Sequence, residues 1–173
     1  GIGKLAVEEK MNGYNVRVAQ VNGEILGITR SGYICPYTTE RANVKLNLEF
    51  FNDFPELVLY GEMVGPDNPY VPKEIYGIDS VEFYIFDIRE KNTGKPLPTS
   101  SRREMMEKYD FLQVKSFGEI PLETAPEEIA YIVRELGEIE HEGVVIKDPE
   151  MNISPLKYTS SQSNCSDLRH AFK

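Results

Sequence analysis

At 173 residues the chain has enough material for one well-packed domain and too little for two comfortable ones. Its 40% hydrophobic and 27% charged residues, with aromatics spread along the whole length, exclude a disordered chain. Nineteen basic against 28 acidic residues, a formal net charge of −9, exclude nucleic-acid binding by bulk charge, so any such role rests on local patches. No stretch approaches the roughly 20 consecutive apolar residues of a membrane-spanning helix. Cys35 and Cys165 lack CxxC or Cys/His spacing, which points to reduced thiols in a cytoplasmic protein and away from zinc. The chain opens Gly1-Ile2-Gly3 without an initiator Met and reaches its richest motif at once, so it reads as an excised piece of a longer protein.

Apolar residues alternate in Leu5–Glu9 and again in Tyr14–Val21, and Asn22-Gly23 then predicts a type I′ turn into a returning strand, Glu24–Thr29. From Glu40 to Phe54 the residues Val44, Leu48, Phe51 and Phe54 recur at helical spacing until Pro55. Leu57–Val64 and Val81–Ile88 are strand-length apolar runs separated by turn formers, Gly65 to Pro69. Ser101–Glu104 and Thr124–Glu127 match the capping-box spacing, predicting helices near 102–110 and 125–136, the second stopped at Gly137. Gly143–Lys147 and Pro155–Thr159 return to strand character, Ser160–Asn164 is loop-like, and Leu168–Phe172 could begin a last helix. Strands that follow one another as hairpins, with helices inserted and not regularly alternating, predict an α+β fold of mainly antiparallel sheets with flanking helices.

Lys10 stands at the junction of two predicted strands, and Gly13 lets the backbone turn tightly against a ligand. An exposed lysine at a turn is the commoner setting of an isolated Lys-x-x-Gly. The motif is not isolated. Glu9-Lys10-Met11-Asn12-Gly13-Tyr14-Asn15, Thr29-Arg30-Ser31-Gly32, Leu59-Tyr60-Gly61-Glu62, Phe83-Tyr84-Ile85-Phe86-Asp87-Ile88, Glu142-Gly143-Val144-Val145-Ile146-Lys147 and Pro155-Leu156-Lys157-Tyr158 occur in that order. Together they resemble the ordered motifs of the covalent nucleotidyltransferases, the DNA ligases, RNA ligases and mRNA capping enzymes. Asn15, two residues after the Gly, is similar to the RNA-ligase branch. Thr38-Thr39-Glu40-Arg41-Ala42 and Gly65-Pro66-Asp67-Asn68-Pro69-Tyr70 resemble the archaeal group of RNA-circularising ligases.

The resemblance implies a DNA-ligase-type, ATP-grasp-like adenylation domain spanning residues 1–173. Lys10 would attack ATP and carry AMP, and AMP would pass to an RNA 5′-phosphate before a 3′-hydroxyl seals the strand. It implies nucleotide contacts from Glu9, Gly13, Asn15, Arg30, Glu62, Phe86, Lys147 and Lys157, with Glu142 in the hydrated Mg²⁺ (or Mn²⁺) network. Glu62 would accept from the ribose and Phe86 would stack on adenine. RNA with 5′-phosphate and 3′-hydroxyl ends is the implied partner, no membrane is, and a homodimer of the intact protein through domains beyond this chain is a further expectation. A DNA ligase, a GTP-using capping enzyme and a non-catalytic nucleotide- or RNA-binding module are the alternatives. Two departures stand out: Asn12 occupies the place of the usual Asp, and Tyr158 follows Lys157 without a second lysine two residues on.

Physical chemistry supports the pattern. A lysine amine attacks phosphorus only when neutral, which calls for nearby cations such as Lys147 and Lys157 converging on one cleft. Glu62 and Glu142 facing phosphates require a cation or a hydroxyl between. Alternation in the aromatic strand puts Phe83, Ile85 and Asp87 on one face and Tyr84, Phe86 and Ile88 on the other; simple core packing is the competing reading of Phe86. The basic run from Arg89 to Lys115, with Arg102, Arg103 and Lys108 beside Tyr109 and Phe111, is interleaved with acids and reads as a solvated helix face. His141 and His170 receive no role.

Overall fold

The structure, a computed structural model, describes residues 2–66 and 73–160. Its elements in chain order are β1 (Lys4–Lys10), β2 (Tyr14–Val21), β3 (Glu24–Thr29), α1 (Pro36–Lys45), α2 (Glu49–Asp53), β4 (Leu57–Val64), α3 (Lys73–Tyr76), β5 (Glu82–Glu90), α4 (Thr99–Lys108), β6 (Ser116–Pro121), α5 (Ala125–Glu138), β7 (Gly143–Lys147) and β8 (Leu156–Thr159). They form two compact units, one from the N-terminus to Asn12 together with the segment from Val114 onward, the other from Gly13 to Gln113. Every pairing between these strands is antiparallel, as the α+β reading expects. Among the described residues no helix is long and apolar enough to cross a membrane.

In the first unit the strand order is β6-β1-β7-β8. Leu5 and Val7 of β1, Ile120 of β6, Val144 and Ile146 of β7 and Tyr158 of β8 form one apolar face, and Ala125, Ile129, Val133 and Leu136 of α5 cover it. Those four helical residues recur at three- and four-residue spacing, the stripe that faces a core. Burying each such Val, Leu or Ile contributes roughly 1.5–3 kcal/mol, so packing holds the helix more than propensity does. The capping-box expectation fails in its detail at α5: Thr124 Oγ1 donates to Glu128 at 3.1 Å and makes no side-chain cap to the backbone. Strand β6 was not foreseen, since Ser116–Pro121 offers only Phe117 and Ile120 as apolar signal.

The second unit orders its strands β3-β2-β4-β5. The β2–β3 hairpin turns on Asn22 and Gly23 at φ 51° and 80°, the positive pair that a type I′ turn requires. Val16, Val18, Leu59, Met63, Phe83 and Ile85 form the inner face, covered by Leu46, Phe50, Phe51, Met106 and Tyr109 among others. Phe50 is the hub, with Phe51, Tyr109 and Phe111 set edge-on to it at centroid distances of 5.1, 5.2 and 5.6 Å.

Three expectations are corrected in this unit. The single helix from Glu40 to Phe54 is two, because Leu46 is extended (φ −110°, ψ 145°) and the Asn47 side chain accepts the Glu49 N–H at 3.0 Å; the break lets Leu46, Phe50 and Phe51 all enter the core. Helix α4 begins at Thr99, with the Pro98 carbonyl accepting the Arg102 N–H at 3.0 Å, so Ser101 is inside the helix and caps nothing. The face between Arg89 and Lys115 is not uniformly solvated: Arg102 is 1% exposed and donates to Gln113 at 3.2 Å, while Tyr109 and Phe111 are core residues. The expected loop at 160–164 beyond Ser160, the last helix at 168–172, His170, Cys165 and most of the motif from Gly65 to Tyr70 lie outside the described residues.

Candidate nucleotidyl-transfer site

Cross-strand register shows which side chains share a face, because directly opposed residues point the same way. In the first unit Ala6 opposes Lys147, Glu8 opposes Val145, and Lys10 opposes Gly143, while Val145 in turn opposes Lys157. Lys10, Lys147 and Lys157 therefore lie on one face of one sheet, opposite the face that α5 covers. Lys10, half-buried at 23% exposure, is held by Glu142, whose Oε1 accepts from its Nζ at 2.6 Å. Lys147 is buried and donates to Glu8 Oε1 at 2.6 Å. Lys157 is exposed.

The turn that presents Glu142 is tightly determined. Gly143 has φ 151°, and a Cβ on it would lie 2.2 Å from the Tyr158 carbonyl oxygen, so only glycine lets β7 start against β8 there. Glu142 Oε2 is buried and has no hydrogen-bond partner. An orphaned carboxylate oxygen is costly unless something binds it. Among the described residues no group of three or more His, Cys, Asp or Glu could hold a metal ion. The unpartnered Oε2 of Glu142 is a carboxylate oxygen of the kind that hard divalent cations take.

The second unit carries the remaining motif residues. Asn15 opposes Glu62 across β2 and β4, on the face away from the helices. The Gly13 N–H donates to Glu62 Oε2 at 3.1 Å. Gly13 is obligatory for space, since a Cβ would fall 2.2 Å from the Met63 carbonyl oxygen. Asn15 Oδ1 is buried without a partner, a second orphaned acceptor among the motif residues. Arg30 follows Thr29, whose partner is Val16, so the exposed guanidinium lies at the same end of the hairpin as Asn15.

Phe86 is aimed by a β-bulge. Tyr60 opposes Asp87 and the next residue, Gly61, opposes Ile85, which leaves Phe86 as the extra residue in β5. The bulge also corrects the simple alternation: Ile88 joins Phe83 and Ile85 in the core, while Phe86 stays half-buried outside it. Gly61 permits this packing, because a Cβ would meet the Phe83 ring at 2.5 Å. The guanidinium carbons of Arg17 on β2 and Arg89 on β5 are 5.0 and 5.3 Å from the ring centroid of Tyr60 on β4.

Two residues were missed from sequence. His141 Nδ1 lies 2.5 Å from Glu9 Oε1, and Glu8 pairs with Lys147. The available signal was the pair of consecutive acids, Glu8 and Glu9, directly after the apolar run Leu5-Ala6-Val7 in one strand: buried carboxylates need partners.

The RNA ligase family profile matches residues 3–159. An uncharacterised protein of Methanocaldococcus jannaschii is 45% identical over 175 residues, covering 99% of this chain and 44% of that protein. A solved archaeal ATP-dependent RNA ligase aligns with TM-score 0.88 at 49% identity, over 98% of this chain and 46% of its own. An Aquifex aeolicus structure, named as a candidate ATP-dependent DNA ligase, gives 0.84 at 32% identity over 95% and 46%. A lysine-to-alanine mutant of a Naegleria gruberi RNA ligase with ATP and Mn shares the fold, with TM-score 0.76 at 17% identity over 92% and 50%. The chain spans about half the length of these relatives.

Proposed function

This chain belongs to the RNA ligase family, and from that premise we propose that residues 1–173 are the adenylation domain of a cytoplasmic ATP-dependent RNA ligase with Lys10 as nucleophile. The observation that carries the reading is Lys10 Nζ held 2.6 Å from Glu142, whose other oxygen is buried and unpartnered. The Lys10 amine, once relieved of a proton, forms a bond to the α-phosphorus of ATP as the bond to pyrophosphate breaks. The AMP on Nζ then passes to an RNA 5′-phosphate. Attack by an RNA 3′-hydroxyl releases AMP and leaves a phosphodiester. All three are in-line displacements at phosphorus, for which positioning and charge stabilisation supply most of the acceleration.

In this reading the face carrying Lys10, Lys147 and Lys157 meets the triphosphate, and Lys147 and Lys157 offset charge that develops as pyrophosphate leaves. The Glu142 carboxylate orients the amine in the resting protein. A divalent cation, Mg²⁺ or Mn²⁺, would supply charge neutralisation on the phosphate oxygens and a second claim on Glu142. Asn15, Arg30, Glu62 and Phe86 contact ribose, base or RNA ends, with Phe86 stacking on adenine; the Gly13 N–H holds Glu62 in place. The Glu9 side chain turns to the α5 face and is held by His141, so Glu9 contributes to nucleotide binding through the strand end it shares with Lys10.

The 32% identity to the Aquifex aeolicus structure favours DNA ligation as the second reading. Parallel sealing assays on 5′-phosphorylated single-stranded RNA and on nicked duplex DNA, each with ATP and with GTP, separate the readings. The expected result is ATP-dependent joining of RNA; preferential sealing of nicked DNA, or use of GTP, contradicts it.

A further inference from the structure

We infer that His141 is a positioning residue for Lys10, acting through Glu9; the inference rests on the adenylation reading above. His141 Nδ1 lies 2.5 Å from Glu9 Oε1, and the two side chains are only 17% and 8% exposed. The imidazole's bearing is fixed by its backbone. The His141 N–H donates to the Leu136 carbonyl at the end of α5 at 2.9 Å, Glu140 before it takes φ 61°, and Gly143 after it is pinned by the Tyr158 carbonyl. The Glu9 N–H donates to the Lys115 carbonyl at 2.9 Å.

Alternation gives this contact its consequence. Glu9 follows the line of Leu5 and Val7 toward α5, while Lys10 follows Ala6 and Glu8 on the other face. Two adjacent residues of β1 are therefore tied to two adjacent residues of one turn: Glu9 to His141, and Lys10 to Glu142. The pairs sit on opposite sides of the sheet and together fix the strand end in position and in twist. A carboxylate at the rim of an apolar cluster does not stay there without a donor. When the imidazole is removed, Glu9 turns to water and draws the end of β1, with Lys10, out of line. Displacement of a reacting group by about 1 Å costs on the order of 10²-fold in rate.

The test compares wild type with His141→Leu, which fills the ring's space without a donor, and His141→Asn, which restores an N–H near the Nδ1 position. Lys10 adenylation is followed by intact mass over a range of ATP concentrations. The expected result is a fall of at least about 10-fold in the maximal rate for His141→Leu with KM for ATP nearly unchanged, and recovery of most of that loss in His141→Asn. A His141→Leu rate equal to wild type overturns the inference, and so does a His141→Asn rate as low as that of His141→Leu. If His141→Leu does not fold, His141→Phe, which keeps a ring and removes both nitrogens, replaces it. A second measurement needs no ATP: the rate at which an amine-acylating reagent labels Lys10 relative to Lys4. The donor-less variant is expected to shift that ratio and His141→Asn to restore it; an unshifted ratio overturns the inference. Absence of any adenylate on the wild-type chain would remove the functional reading, while the labelling ratio still decides whether His141 places Lys10.

Discussion

Lys147 Nζ lies 2.6 Å from Glu8 Oε1 with both side chains withdrawn from water, at 4% and 1% exposure. A buried ion pair adds little relative to apolar residues of the same size, but removing one partner strands a charge. Glu8→Gln, which keeps the shape but removes the charge facing Lys147, is therefore expected to lower unfolding free energy by more than about 1 kcal/mol, measured by urea denaturation. A loss below about 1 kcal/mol would mean that Lys147 finds another acceptor or reaches water.

Gly143 tests the turn that presents Glu142. With φ at 151° and only 2.2 Å between an added Cβ and the Tyr158 carbonyl oxygen, Gly143→Ala forces β7 away from β8. The expected outcome is a destabilisation above about 1 kcal/mol together with loss of adenylation. Full activity with an unchanged Tm would contradict the assigned backbone.

Phe86 is half-buried and lies outside the core cluster that holds Phe83, Ile85 and Ile88. Phe86→Ala is expected to raise KM for ATP about 10-fold or more, since stacking on a base is worth about 1–3 kcal/mol, with little change in Tm. A large fall in Tm with KM unaltered would return Phe86 to a packing role.

Tyr109 gives a pH dependence. Its hydroxyl donates to Asp53, and that hydrogen bond, with burial and the Asp53 charge behind it, pushes the phenol up from 10.0 to about 12. A pKa raised in the folded state stabilises fully below the unfolded value and is lost as pH rises through the folded one, so stability falls between pH 10 and about 12. Tyr109→Phe should flatten that loss in thermal melts across the same window. An identical alkaline decline in both proteins would show that the Asp53 contact is not its source.

Much of this architecture was legible in the chain. The hairpin at Asn22-Gly23 and both central strands of the second unit followed from period and turn chemistry, because each is a local property of consecutive residues, whereas α5 was expected from a cap that Thr124 does not make and a stop at Gly137 that the helix runs through to Glu138. What escaped depended on distant partners. Leu46 breaks a helix because the core takes it in an extended conformation, β6 forms because β1 offers it an edge, and Phe86 is re-aimed by a bulge set where β5 meets Gly61. Likewise the motif lysines and Glu142 were visible as residue types, but Glu8 and His141 acquire meaning only when β1 and the turn before β7 come together.

The central claim is a covalent bond between Lys10 Nζ and AMP. Intact-mass measurement after incubation with ATP and Mg²⁺ should show the gain of one adenylate, mapped by peptide fragmentation to Lys10 and absent from Lys10→Ala. A chain that gains no mass, or a Lys10→Ala protein that gains the same adenylate, would contradict the account.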